Sequence, residues 1–325
     1  MRGVLGLSLV LGAFALVNAA ASLLALGLAR VLRGRAARLD ARRRGDLWLG
    51  LRLFPAAAAL LAALLVAAAF ARHEPKDANE TVGPGLLVLA AAGAALTAAS
   101  LRRVFRAHRA TRRFLVERTA GARPLALAGA PTPVLRVTQT VPAVALVGTR
   151  RPTLFVAESA LSSFTPEELA VVLAHESAHV RARDNLKTLL VLGAAFPGGL
   201  GGRIERDWRQ AAEEWADERA AGGFADRSLS LASALLKVAR LTPTGSLGEL
   251  LGATTLHRGE GLALRVHRLL AGARSGGGAP AGDGTPSVGR RILLLALASS
   301  GAALSLPFLL PALHRALEIV VRVLS

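Results

Sequence analysis

ELAVVLAHESAHVRARDN, residues 168–185, holds His175, Glu176 and His179 in the spacing H-E-x-x-H. On a helix, positions i and i+4 fall on one face a single turn apart, so these two imidazoles can chelate one zinc ion. The carboxylate of Glu176 is rotated off that line, close enough to reach a water on the metal and act as its base. Three fixed residues are too short a pattern to stand alone. Support has to come from the helix around them and from a third donor.

The helix is well marked. Thr165-Pro166-Glu167-Glu168 supplies an N-cap threonine, a proline at the first helical position and a glutamate at N3, which is a capping box. Leu169, Val171, Val172 and Leu173 then make it strongly apolar, as expected where a metal site is built inside a core.

The surrounding chain is unusually apolar. Its 325 residues are 52% hydrophobic, and the mean hydropathy is +0.44, which predicts a membrane part joined to one further domain. There is no cysteine, which excludes disulfides, thiolate zinc sites, iron–sulfur ligation and cysteine nucleophiles. Any metal must use His, Asp or Glu. The net charge of +18 would by itself invite a nucleic-acid reading. Its distribution argues otherwise, because the arginines at 30, 33, 35, 38, 42, 43 and 44 follow one apolar run and those at 102, 103, 106, 109, 112 and 113 follow another. The first cluster has no interleaved aromatic and the second only Phe105, neither contains a recognisable reading motif, and membrane orientation accounts for both.

Three apolar runs, about 4–29, 53–71 and 85–101, are each long enough or nearly so to cross a ~30 Å hydrocarbon core. A cleaved signal peptide competes for the first, but the apolar run continues past the small residues at 19–21. Arginines after the first and third runs predict an N-terminus outside and the motif region inside, on the cytoplasmic face of a bacterial-type inner membrane. Residues 1–113 are thus a membrane region and 114–270 a cytoplasmic domain. From 114 to 156, short runs such as PVLRVTQT, PAVALVG and PTLFVA, separated by turn residues, predict a small antiparallel sheet. Residues 141–147 are the expected edge along which an extended peptide substrate would pair.

Residues 186–200 are apolar but end in Phe196-Pro197-Gly198-Gly199, which predicts a buried or re-entrant helix more than a full span. This matters, since a complete crossing would put the next helix on the wrong side. That helix, 203–221, stops at Gly222-Gly223. It carries Glu213 and Asp217 four residues apart, so both can face the motif helix: Glu213 as third ligand, Asp217 as acceptor for the free N–H of a ligating histidine. Glu214 is the rival ligand. The bland alternative is an acidic cluster paired with Arg209 and Arg219 on a solvated face. Asp184 is expected to brace the helix end or pair with Arg181 or Arg183. With no tyrosine in the chain, a second donor for an oxyanion must be His, Arg, Asn or backbone, and His257 and His267 are the candidates considered. Further amphipathic helices are expected at 228–240 and 261–270. A Gly/Pro-rich linker at 271–289 and a fourth span with an amphipathic tail at 290–325 complete the chain.

The stretch from Val141-Pro142 through the capped helix, H-E-x-x-H, Asp184-Asn185 and then Glu213-Glu214-Trp215-Ala216-Asp217 resembles the BlaR/MecR-type membrane zinc metallopeptidases, the antirepressor family of beta-lactam sensors. It is more distantly similar to the HtpX and CAAX-prenyl endopeptidase group. The resemblance spans about 114–270. It implies His175, His179 and Glu213 as ligands to Zn2+ and Glu176 as catalytic base.

The implied fold is a mainly α membrane protein: a multi-span helical bundle with a cytoplasmic α+β zincin-like domain. The implied function is a membrane-embedded zinc endopeptidase acting on a cytoplasmic or juxtamembrane protein, such as a transcriptional repressor, in regulatory signalling. Partners are then a protein or peptide substrate and the lipid bilayer, with no direct nucleic acid; self-association is left open. Alternatives are an HtpX-like quality-control protease and a non-catalytic membrane scaffold. Ser177 stands where the family usually has leucine, and Ala216 where cysteine is often seen. No penicillin-binding sensor module with its Ser-x-x-Lys accompanies the motifs, so beta-lactam sensing is not expected.

Overall fold

The computed structural model describes residues 2–73, 82–138, 143–241, 254–255 and 261–274. The protein is mostly helical, with three long apolar helices followed by a part built around a small mixed sheet. Helices α1 (Arg2–Ala36), α2 (Ala41–His73) and α3 (Pro84–Thr119) have 35, 33 and 36 residues. At 1.5 Å per residue each is about 50 Å long, against a ~30 Å hydrocarbon core, and all three are apolar enough to cross a membrane. Each therefore has length to spare, and the arginine clusters at the end of α1, the start of α2 and the second half of α3 occupy it. Leu16, Leu23, Leu60, Leu64 and Val88 point outward from the helices, as a lipid-facing surface requires. Helix α1 packs against both α2 and α3. At the α1–α3 crossing, Gly93 lies so close to Leu11 that a Cβ there would run into the Leu11 carbonyl.

The overhang of α3 leads directly into the second part. Phe114, near its end, packs edge-on against Phe155 of the sheet, ring centroids 5.4 Å apart. The strands are β1 (Arg123–Pro124), β2 (Val134–Val137), β3 (Val144–Val147), β4 (Thr153–Ala157) and β5 (Thr254–Thr255), in the order β1-β2-β4-β3-β5. The sheet expected to be antiparallel is mixed. Strands β3 and β4 form the antiparallel hairpin, but β2 joins the far side of β4 in parallel, Val134 opposite Leu154. Strand β3 is likewise interior, with β5 on its free side, so the expected substrate edge at 141–147 is not an edge where described. Residues 139–142 lie outside the described residues. All four side chains of β3 are buried, which is what a strand flanked on both sides and covered by a helix shows.

Six α-helices complete this part among the described residues. Helix α4 (Glu158–Ser163) follows β4, and α5 (Pro166–Ala182) carries the motif. Its capping box is formed as the sequence predicts: the Glu168 amide donates to Thr165 Oγ1 at 3.3 Å and the Thr165 amide to Glu168 Oε2 at 2.8 Å. Helices α6 (Asp184–Gly193), α7 (Gly202–Ala221), α8 (Ala225–Leu241) and α9 (Leu262–Arg274) follow. The main core lies between the sheet, α5, α8 and α9. A second one joins Ala25 and Ala29 of α1, Trp48 and Leu51 of α2, Val191, Phe196, and Ile204 and Trp208 of α7, so the domain is docked on the arginine-rich helix ends.

At 10 residues, α6 is about 15 Å long and cannot cross a bilayer, so α5 and α7 stay on one side. Its end and the three residues after it are drawn in among the apolar helices. Asn18 donates to the Ala195 carbonyl at 3.3 Å, Arg52 to Val191 at 3.0 Å and to Ala194 at 3.3 Å, and Arg103 to Ala194 at 3.4 Å. One donor comes from each of α1, α2 and α3. The first residues expected in the linker, Ala271 to Arg274, continue α9 instead. The rest of 271–289 and all of 290–325, including the expected fourth span, lie outside the described residues.

Candidate metal centre

Helix α5 is the middle of the site. His175, Glu176 and His179 are all at most 2% exposed, because the helix is packed on the sheet on one side and on α7 and α8 on the other. The two imidazoles stand one turn apart with Nε2 atoms 3.1 Å from each other. Helix α7 brings Glu213 opposite them, its Oε2 3.6 Å from His175 Nε2 and 3.8 Å from His179 Nε2. In a tetrahedral zinc site with bonds of about 2.1 Å, neighbouring donor atoms sit about 3.4 Å apart. These three therefore converge on one point, and together they are a group able to hold a metal ion.

Each imidazole is gripped from behind. His179 Nδ1 lies 2.8 Å from Asp184 Oδ2, and His175 Nδ1 lies 3.0 Å from Asp217 Oδ1, an ion-pair approach whose angle falls short of an aligned hydrogen bond. Carboxylates behind ring nitrogens fix the tautomer that leaves Nε2 free to ligate. Asp217 thus stands on α7 behind the ring of His175. Asp184 does more than expected. It brings together His179 and Lys187, 2.9 Å away, and not Arg181 or Arg183, which are exposed. The reason is the joint between α5 and α6: Arg183 adopts a left-handed backbone with φ 55°, and the turn swings Asp184 back under the imidazole.

The electrostatics favour positive charge at the convergence point. Burial alone would lower the pKa of His179, but the charge of Glu213 and the bond to Asp184 override it and push it up to about 10. His175 is raised in the same sense, against burial, by Asp217 and Glu213. Burial would raise the carboxyl of Glu213, yet Arg265 and His179 hold it well below the usual range. Glu176 is the exception, with its pKa raised by burial against the pull of the histidines. Both of its carboxylate oxygens are buried without a hydrogen-bond partner among the described residues, whereas Glu213 Oε2, also without an aligned hydrogen bond, has the ion-pair approach of Arg265 at 2.9 Å. Orphaned oxygens of this kind cost about 1–3 kcal/mol each, and here all belong to groups that a metal and its water would satisfy.

Glu214, the rival ligand, points away from this point. It is held by Gln210 at 2.9 Å and by Arg44 and Arg268. Arg209 pairs with Glu205, so the acidic cluster is not the solvated ion-pair patch of the bland alternative. Ser177 donates back to the Leu173 carbonyl at 2.7 Å, which lets a small polar residue occupy a buried position. Of the two histidines considered for an oxyanion, His267 is exposed and His257 lies outside the described residues.

The residue that sequence reasoning missed is Arg265 of α9. It is 5% exposed and lies 2.7 Å from both oxygens of Asp217 and 2.9 Å from Glu213 Oε2. Its signal was an arginine set within the stripe Leu262, Val266 and Leu269, where an apolar face is expected.

No curated protein matches the chain. Residues 114–241, which carry α5, α7 and the first four strands but not α9, match the model of peptidase family M48; the match supports the M48 metallopeptidases broadly without singling out the BlaR/MecR type.

Proposed function

We propose that this protein is an integral-membrane zinc endopeptidase that hydrolyses peptide bonds in a cytoplasmic or juxtamembrane protein. The observation that carries the reading is the convergence of His175, His179 and Glu213 beside the unpartnered carboxylate of Glu176. His175, His179 and Glu213 would hold the metal, with Asp217 and Asp184 behind the imidazoles. A zinc ion held there supplies Lewis acidity, acidifying a water molecule and polarising the scissile carbonyl.

The rest of the chemistry falls to this chain's own groups. Glu176 takes the proton from the attacking water and returns it to the leaving amine, a role suited to a carboxyl whose pKa burial has raised. Asp217 and Asp184 keep the two imidazoles in one orientation through the cycle. The three apolar helices support anchoring in a membrane, and the arginine-rich overhangs support a cytoplasmic position for the site. A role in regulatory signalling, with a repressor-like substrate, follows the BlaR/MecR resemblance alone.

The decisive comparison is between cells carrying the native protein and the Glu176→Gln form, with fragments of membrane and cytoplasmic proteins compared and the metal content of both purified proteins measured. The variant should keep one zinc and lose cleavage. Identical fragments in both strains would overturn the mechanism.

A further inference from the structure

We infer that Arg265 is a positioning residue of the metal centre, so that α9, beyond the residues matched by the family, is an integral part of the site. The inference rests on the metallopeptidase reading above. Arg265 grips Asp217 with both arms of its fork, Nε to Oδ2 at 2.7 Å and Nη2 to Oδ1 at 2.7 Å, and its third nitrogen, Nη1, lies 2.9 Å from Glu213 Oε2. One buried guanidinium therefore bridges two carboxylates one turn apart on α7.

Two physical effects follow. Glu213 and Asp217 are like charges at i and i+4, both buried, and without a cation between them they repel one another. Arg265 offsets that repulsion. It also transmits orientation. Asp217 Oδ1, fixed by the guanidinium, is the oxygen that faces His175 Nδ1 at 3.0 Å, so the fork sets the carboxylate and the carboxylate sets the imidazole. The planar geometry is essential, since an ammonium is a single point charge that cannot make a bidentate grip and reach a second carboxylate.

The competing role is a staple that merely docks α9. Helix α9 has an independent means of docking, because Leu269 is buried in the main core with Leu262 and Val266 packed against it. The two roles are separable for that reason.

The test uses the full-length protein in detergent, stripped of metal and titrated with zinc against a chromophoric chelator, with thermal unfolding of the metal-free form recorded in parallel. Arg265→Gln should weaken zinc binding about 10–100-fold, the range found when residues behind metal ligands are removed. Arg265→Lys should lose at least about tenfold although its charge is kept. Leu269→Ala, which loosens α9 without touching the site, should lower the unfolding temperature and leave zinc affinity within about twofold. Native zinc affinity in Arg265→Gln, or an equal loss of affinity in Leu269→Ala, would overturn the inference in favour of the staple. Should Arg265→Gln fail to fold, Arg265→Lys decides on the same readout. A native protein that binds no zinc, or a Glu213→Ala variant that binds it as tightly as native, would instead bring down the metallopeptidase reading and this inference with it.

Discussion

The guanidinium of Arg52, in the first half of α2, lies 3.0 Å from the carbonyl of Val191 near the end of α6. The same side chain reaches the Ala194 carbonyl at 3.3 Å and stacks over Phe196, 5.3 Å from the ring centre. A membrane helix thus supplies the C-terminal cap of the short helix that leaves the site, satisfying carbonyls that the chain cannot pair itself as it dips among apolar helices. Arg52→Met keeps the apolar stem and removes the donors. It should cost about 2–3 kcal/mol, the range for hydrogen bonds to a charged group with the partners left buried. Thermal unfolding in detergent checks this, and an unchanged midpoint would show that the carbonyls find other partners.

The α1–α3 crossing is set by Gly93. A Cβ at this position would meet backbone, the Leu11 carbonyl, and backbone cannot swing aside as a flexible side chain can. Membrane helices commonly use small residues in this way to bring their backbones together. Gly93→Ala should therefore separate α1 from α3 and lower thermal stability. Gly50→Ala, at a position with open space, should have little effect. Similar unfolding midpoints for the two variants would show that the close approach is not needed.

Much of this architecture was legible in the sequence because it rests on local signals. The Thr165–Glu168 box, the three apolar runs and the i, i+4 pair Glu213 and Asp217 each declare themselves within a turn or a span. What escaped depends on contacts between distant residues or on a single backbone angle. The parallel joining of β2 to β4 leaves no local mark, since both strands are short apolar runs that would suit either direction. Arg265 lies 48 residues from its partner Asp217, and an arginine on an amphipathic helix reads as a surface charge until its neighbours are known. In the sequence Asp184 has only the adjacent arginines as evident partners, because the left-handed turn at Arg183, which carries it to His179, is unusual for a residue other than glycine.

The grip of Asp184 on His179 predicts a metal-binding phenotype for a residue outside the ligand set. Asp184→Asn keeps the size and can still hydrogen-bond, but it loses the charge 2.8 Å from Nδ1 and can present its amide to the ring, favouring the wrong tautomer. Zinc affinity, read by chelator competition, should fall about 10–100-fold. Lys187→Ala removes only the outer partner, 2.9 Å from the other oxygen and partly exposed, and should change affinity far less. Equal losses in both variants would mean that Asp184 acts through its charge balance and not through the imidazole.

Glu168 links the start of α5 to α8, and its protonation gives a stability that depends on pH. Its carboxylate accepts from Lys237 at 2.7 Å, Ser233 at 2.6 Å and the Thr165 amide at 2.8 Å. Burial would raise its pKa, but these bonds prevail and hold it below the ordinary value of 4.5. A carboxyl whose folded pKa is depressed contributes stability that is complete above the unfolded pKa and is lost as pH falls through the folded one. Glu168→Gln isolates the charge, since glutamine also serves at N3 of a capping box. Near neutral pH the variant should be less stable by about 1 kcal/mol, a figure kept small because Lys237 is partly solvated. The gap between native and variant unfolding midpoints should then narrow as the pH is taken below 4.5. A gap that stays constant across that range would show that the carboxylate charge contributes nothing to holding α5 against α8.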